Sequence, residues 1–184
     1  PDAGIRVLQP NPWKQETYNW CIELHNQSAE AYRCFNPVET KKRVKAIQHH
    51  ASAPQDKFRG YSVLIDLLLR ETRFSEAFTE AQCGLRTLGI KFSHELGVMK
   101  VRKFAAETQK LLKRRKADDL LSLPLMTDEK QAEAIRLCAV YVSASICLGQ
   151  SMSAAIGSST ALKITLQNGI GSFAAVSFVL YGVE

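Results

Sequence analysis

Apolar residues along this chain recur every three or four positions, and no stretch alternates convincingly between apolar and polar. A period near 3.6 is that of helices which bury one stripe of their surface. Tyr61, Leu64, Ile65 and Leu68 share one such stripe, and Phe74 follows it. The small residues Ala77, Ala81 and Gly84 then form a second stripe. Bulky groups on one helix facing small groups on the next let two antiparallel helices approach closely.

Punctuation along the chain divides the pattern into elements. Pro10 and Pro12 mark an extended entry, and a first helical pattern starts at Trp13. Asn36-Pro37 breaks it, because a residue before proline avoids the α region. Further helices are expected over about Val38–His50, Gln55–Thr72 and Ser75–Leu88, with Ser75 as an N-cap and Gly89 as a stop. Val98, Val101, Ala105, Thr108, Leu111 and Leu112 mark a fifth helix, and Leu121–Met126 reads as a linker. Thr127 or Asp128 can cap a sixth helix, which Gly149 ends. A seventh spans about Met152–Gln167, Asn168-Gly169 is a turn, and an eighth begins near Gly171.

The large-then-small stripes of residues 61–89 have the spacing of a tetratricopeptide-like hairpin, a unit that must stack on neighbours to bury its faces. The expected fold is all-α: antiparallel hairpins stacked as a TPR-like α-solenoid, more irregular in the C-terminal half. An earlier copy of the repeat aligns Tyr32 and Val38 with Leu68 and Phe74, but puts Lys41 and Lys45 where Ala77 and Ala81 sit. The first unit is therefore degenerate. The expected organisation is an extended entry over 1–12, two TPR-like hairpins over 13–89, and a helix with linker over 90–126. Further helical repeats, truncated at the C-terminus, fill 127–184.

Composition changes this picture little. The chain has 184 residues, 46% hydrophobic and 23% charged, the balance of an ordinary soluble globular protein. It opens on Pro1 and closes inside an apolar pattern, so both ends read as cut from a longer polypeptide. The net charge of +6 gathers in Lys41, Lys42, Arg43 and Lys45, and again in Lys113, Arg114, Arg115 and Lys116. The second group sits where a helix is expected to end, which suits the helix dipole. With no regular interleaving of aromatics, a solvated basic face is favoured over nucleic-acid binding. Five cysteines without a CxxC pair read as reduced thiols used as small apolar groups, which points to the cytoplasm. The run from Leu137 to Lys163 is long enough to span a bilayer, but its many Ser, Gly, Thr and Gln residues oppose insertion.

Candidate chemistry is sparse. Phe92-Ser93-His94-Glu95-Leu96 begins like a histidine phosphoacceptor box, yet Gly97 and Met99 stand where a basic residue and a proline ordinarily follow. A capped loop is the simpler reading of His94. Cys21 and His25, four apart on one helical face, could share a metal ion, with His49 and His50 as the nearby supply of further ligands. Adjacent helical residues point in different directions, which favours a buried thiol and a surface or capping histidine instead. No P-loop and no Gly-x-Ser-x-Gly elbow occurs. Asp118-Asp119 reads as tempering the preceding basic run. Trp13 and Trp20, seven apart, read as core packing that seals the first helix on the second. No catalytic residue, cofactor site or metal ligand is expected.

The segment Leu123-Pro124-Leu125-Met126-Thr127-Asp128, followed by Ala134-Ile135-Arg136-Leu137, adds a resemblance. With the preceding hairpin and Leu88-Gly89-Ile90, it resembles the TPR-like helical region of large multidomain signalling proteins. These join a serine/threonine-kinase-like domain and an AAA/STAND-type ATPase to the helical region, followed by a GAF sensor domain and often a histidine kinase. The likeness runs from about Trp13 to Gly182, with Asn36-Pro37-Val38 where the family usually has a Gly-Asp-Phe-like turn. It implies a non-catalytic scaffold and signal-relay segment whose partners are protein segments or neighbouring domains of the same chain. None of the family's catalytic motifs falls within these residues, so an ATPase or kinase activity would belong to the parent chain. The alternative is a stand-alone TPR-like adaptor.

Overall fold

The computed structural model describes the chain except residues 1, 8–12, 15, 93–96, 172 and 183–184. The described residues are helical throughout, joined by short turns, with a single isolated bridge between Leu125 and Ile170. They divide into two compact units, residues 1–80 and 81–184.

In the first unit, α1 (Asp2–Val7) packs on α2 (Tyr18–Tyr32), which packs on α3 (Pro37–His50) and α4 (Phe58–Arg70). Pro10 and Pro12 lie outside the described residues, and over 2–7 a helix corrects the extended entry expected there. Its cause is tertiary: Ile5 is buried, and Gly4 lies so close to Leu24 that an added Cβ would come within 3.2 Å of both its methyl carbons. Local sequence carries no such information.

The start of α3 follows directly from sequence. The Asn36 side chain accepts a hydrogen bond from the Glu39 N–H at 3.1 Å, and Pro37 occupies the first turn, where no amide is needed. Thr40, Val44 and Ile47 then form its buried stripe. A short 3-10 turn, Pro54–Lys57, leads into α4. This helix buries Tyr61, Leu64, Ile65 and Leu68 as expected, and also Val63 and Leu67 from its opposite side. It is an inner helix, covered by both α2 and α3.

Ion pairs stitch the outer surface of this unit. The Arg59 guanidinium bridges Glu30, at 2.6 and 2.9 Å, and Glu23, at 2.8 Å, tying α4 to α2. Arg33 reaches Asp66 at 2.9 Å across the same pair of helices. Lys41, which breaks the expected line of small residues, reaches Glu71 at 2.8 Å just beyond α4. A charged side chain is accommodated because its partner waits at the turn.

That turn carries Thr72 at φ 57°, in the left-handed region, after which α5 (Phe74–Thr87) begins. Ser75 lies inside α5, where its carbonyl accepts from the Thr79 hydroxyl, so it is not the expected N-cap. Ala77 and Ala81 are fully buried, as the small-residue stripe requires, and Gly84 is buried too. Gly89, at φ 85°, ends the helix, and the Ile90 N–H returns to the Leu85 carbonyl at 2.9 Å.

In the second unit, α6 (Val98–Lys113), α8 (Glu129–Cys147) and α10 (Ala174–Gly182) all pack on α9 (Ser151–Asn168), and α10 also packs on α8. A helix covered on several sides has no single apolar stripe. The sequence of α9 shows how it remains stable there. Thr160 and Thr165 donate to the carbonyls of Ile156 and Ala161, at 2.7 and 3.0 Å, so their hydroxyls are satisfied within the helix. Gly157 permits the closest approach to α8. A Cβ there would lie 2.7 Å from Val142 Cγ2 and 2.8 Å from Tyr141 Cδ1. Among the described residues no helix is long and apolar enough to cross a membrane.

The linker expected over 121–126 is shorter, because α7 (Ala117–Leu121) precedes it. The Asp119 carboxylate accepts from the Lys116 N–H at 2.8 Å and so anchors the first turn of α7. Beyond α7 the chain runs extended. The Pro124 carbonyl accepts from the Ile170 N–H at 2.7 Å, and the Met126 N–H donates to the Ile170 carbonyl at 2.8 Å. Asp128 then caps α8 by accepting from the Lys130 N–H at 2.8 Å. The Leu-Pro-Leu-Met-Thr-Asp segment is thus a backbone clip followed by a helix start.

Candidate binding surface

The helix α6 and the turn after it carry charge almost entirely of one sign. From residue 98 to residue 116 the chain has eight cations, Lys100, Arg102, Lys103, Lys110, Lys113, Arg114, Arg115 and Lys116, against the single carboxylate Glu107. Lys100, Lys103, Lys110 and Arg114 follow a spacing of three and four residues with Glu107 among them, which places all five on one helical stripe. Thr108, on the opposite flank, is fully buried and reaches the Ser159 carbonyl of α9 at 3.5 Å. The helix therefore holds its apolar flank to α9 and its basic stripe to solvent.

Two of these charged groups have intramolecular work. The Arg115 guanidinium donates to the Leu166 carbonyl at 2.7 Å, satisfying one of the last carbonyls of α9. Glu107 is held by Lys163 of α9 at 3.7 Å, and the same ammonium lies over the Phe104 ring, 5.4 Å from its centroid. Among the described residues Lys100 and Lys103 enter no ion pair, and their side chains are exposed.

Beside this stripe is a cavity of about 390 Å³. Phe92, Phe104 and Ile156 give it an apolar floor, and Lys91, Lys100 and Lys103 line it with three cations. Phe92 is fixed from behind by Tyr141, with ring centroids 4.9 Å apart. Burial raises the Tyr141 hydroxyl pKa above its ordinary value. A cavity of this size fits one small ligand or a pair of side chains. Clustered ammonium groups that repel one another favour an anion between them.

The sequence candidates Trp13, Trp20, Cys21, His25, His49 and His50 all belong to the first unit. Trp13 precedes α2 and is not part of it, so the seven-residue spacing to Trp20 does not place the two indoles on one stripe. Trp20 is instead exposed, which corrects its expected core role. Trp13 packs between imidazoles, 4.6 Å from His50 in a stacked arrangement and 5.0 Å from His25, with Tyr18 edge-on at 6.5 Å. His49 meets His50 edge-on at 4.7 Å. The Tyr18 hydroxyl donates to Asp56 at 2.6 Å and accepts from the Ser52 N–H at 2.8 Å, which closes the loop after α3 over this cluster.

Cys21 and His25 are both buried on α2, and burial raises the Cys21 thiol pKa. The histidines thus gather around an indole. Among the described residues no group of three or more His, Cys, Asp or Glu side chains is placed to hold a metal ion. His94 lies outside the described residues.

Sequence reading identifies the basic run at 113–116 but not the pocket. Lys91, Lys100 and Lys103 are separated from Phe104 and Ile156 by position and element, and only folding brings them together. The spacing of Lys100, Lys103, Glu107, Lys110 and Arg114 is the available signal for a charged stripe. No protein-family model, curated protein or solved structure matches the chain.

Proposed function

We propose that the chain is a non-catalytic helical scaffold that holds protein partners and relays signals as a segment of a multidomain ATP-dependent signalling ATPase or kinase. The consecutive packing of α2, α3 and α4, with fully buried Ala77 and Ala81 on the following helix, is the observation that carries a scaffold reading. Small residues at buried helical positions give rigid spacing, which a relay between sensor and effector domains requires. The link to signalling proteins rests on the resemblance of the Leu-Pro-Leu-Met-Thr-Asp segment and the hairpin before it.

A second reading, a stand-alone TPR-like adaptor, draws on the cationic stripe of α6, a surface suited to capturing a partner. Sequencing the coding region on both sides separates the two. A nucleotide-binding ATPase region upstream with a GAF or kinase region downstream supports the relay. Helical repeats alone support the adaptor, and a contiguous catalytic fold would overturn both.

A further inference from the structure

We propose that the cavity beside α6 is the seat of an acidic protein segment, which sets one aromatic or large aliphatic side chain on Phe92, Phe104 and Ile156 while its carboxylates meet Lys91, Lys100 and Lys103. This deepens the scaffold reading above and rests on it.

Three observations select that occupant. The cavity is amphipathic: among the described residues Phe92, Phe104 and Ile156 line it with carbon, and its charged lining is cationic apart from Glu107, which Lys163 already engages. A ligand must therefore bring an apolar body and negative charge together. Second, the charge does not stop at the cavity mouth. Lys110 and the C-cap residue Arg114 continue the stripe along α6, whose 16 residues span about 24 Å. A single small carboxylate would leave most of that stripe without a partner, whereas an extended acidic segment would follow it. Third, single-stranded nucleic acid binds by stacking bases on open aromatic faces. Here Lys163 lies over one face of Phe104, and Phe92 leans on Tyr141, which leaves no pair of open parallel faces for successive bases. The aromatics form a receptacle for a side chain and not a platform for successive bases.

Binding would follow the usual division of labour. The buried anchor supplies most of the affinity, and the charged rim supplies orientation and rate of encounter. Met99, exposed at the head of α6, extends the apolar area next to the cationic stripe.

The test uses the chain itself and fluorescence anisotropy of labelled probes. One probe is a glutamate-rich peptide with a central tryptophan, and the second is the same peptide with alanine in its place. An oligothymidylate of similar length is the third. The tryptophan peptide should bind at least about tenfold more tightly than the alanine peptide, and the difference should persist at higher salt, where surface attraction is screened. Lys100→Glu with Lys103→Glu should weaken binding by about tenfold or more with an unchanged circular dichroism spectrum, since both side chains are exposed. Lys42→Glu with Lys45→Glu, on exposed positions of α3, should leave binding unaltered.

Equal binding of the two peptides, tighter binding of the oligothymidylate, or equal losses in both charge-reversed variants would each overturn the proposal. Such a result together with a multidomain reading frame would remove the acidic partner and leave the scaffold reading in place.

Discussion

Gly157 of α9 faces Val142 of α8 with no room for a methyl group, since its Cβ would fall 2.7 Å from Val142 Cγ2. Tyr141 closes the same gap from the side, at 2.8 Å. Gly157→Ala should therefore destabilise the chain by about 1–3 kcal/mol, although alanine is the better helix former. Urea unfolding of the variant measures this. Adding Val142→Ala should recover part of the loss, because the two changes share one contact. Full additivity of the two would contradict the close crossing.

The buried alanines of α5 make a parallel prediction. Ala81 has no exposed surface, so Ala81→Arg would bring a charge into a packed interior. It should lower stability by about 3 kcal/mol or more. An unchanged melting temperature would show that position 81 is open to solvent.

Thiol chemistry should separate the cysteines by location. Cys34 and Cys147 are exposed, whereas Cys21 and Cys138 are fully buried. Burial pushes the Cys138 thiol up to about 12, so almost none of it is thiolate at neutral pH. Iodoacetamide under native conditions should modify Cys34 and Cys147 rapidly and leave Cys21 and Cys138 intact until denaturant is added. Peptide mass mapping reads the order directly. Early modification of Cys138 would contradict its enclosure in the second unit.

Acid should release one specific contact. Hydrogen bonds from Lys41 and Arg73 hold the Glu71 carboxyl below its ordinary pKa. A carboxylate depressed in the folded state adds stability above its unfolded pKa, near about 4.3, and that stability is lost as pH falls through the lower folded value. Glu71→Gln should thus be less stable than the parent at neutral pH, by about 1 kcal/mol at most for a pair of this exposure. The two proteins should converge once the pH falls below the lowered folded-state pKa of Glu71. A stability difference that grew on acidification would reverse the assignment.

Much of the local punctuation was legible in the sequence. Asn36-Pro37 starts α3, Gly89 ends α5, Asp128 starts α8 and Gly149, at φ 69°, ends it. These positions are decided by dihedral preference and capping, which act within a few residues. The stripes of α4 and α5 were legible for the same reason, as periodicity reports burial on one side.

Long-range packing was not legible. Trp20 has the composition of a core residue, yet it lies on the side of α2 away from the buried Cys21, His25 and Ala29, and is exposed. The helix α1 depends on Ile5 and Gly4 meeting α2, and its sequence offers no stripe. The role of α9 as the helix against which three others pack was hidden, because Ser, Thr, Gly and Ala carry little hydrophobic signal. Hydroxyls that bond back along their own helix make such residues compatible with burial. The lysine-lined cavity assembles from α6, α9 and the segment before α6, so no local motif could mark it.

The paired hydrogen bonds between Ile170 and the Pro124–Met126 stretch reach further than the turn they build. Gly169, at φ 104°, brings the returning chain against the Pro124 carbonyl, so the polypeptide enters α8 and leaves α9 at one point. A linear array of repeats can unravel from an end, one unit at a time. A segment clipped at its base by backbone bonds should instead melt in a single step, its amides exchanging with solvent deuterium together.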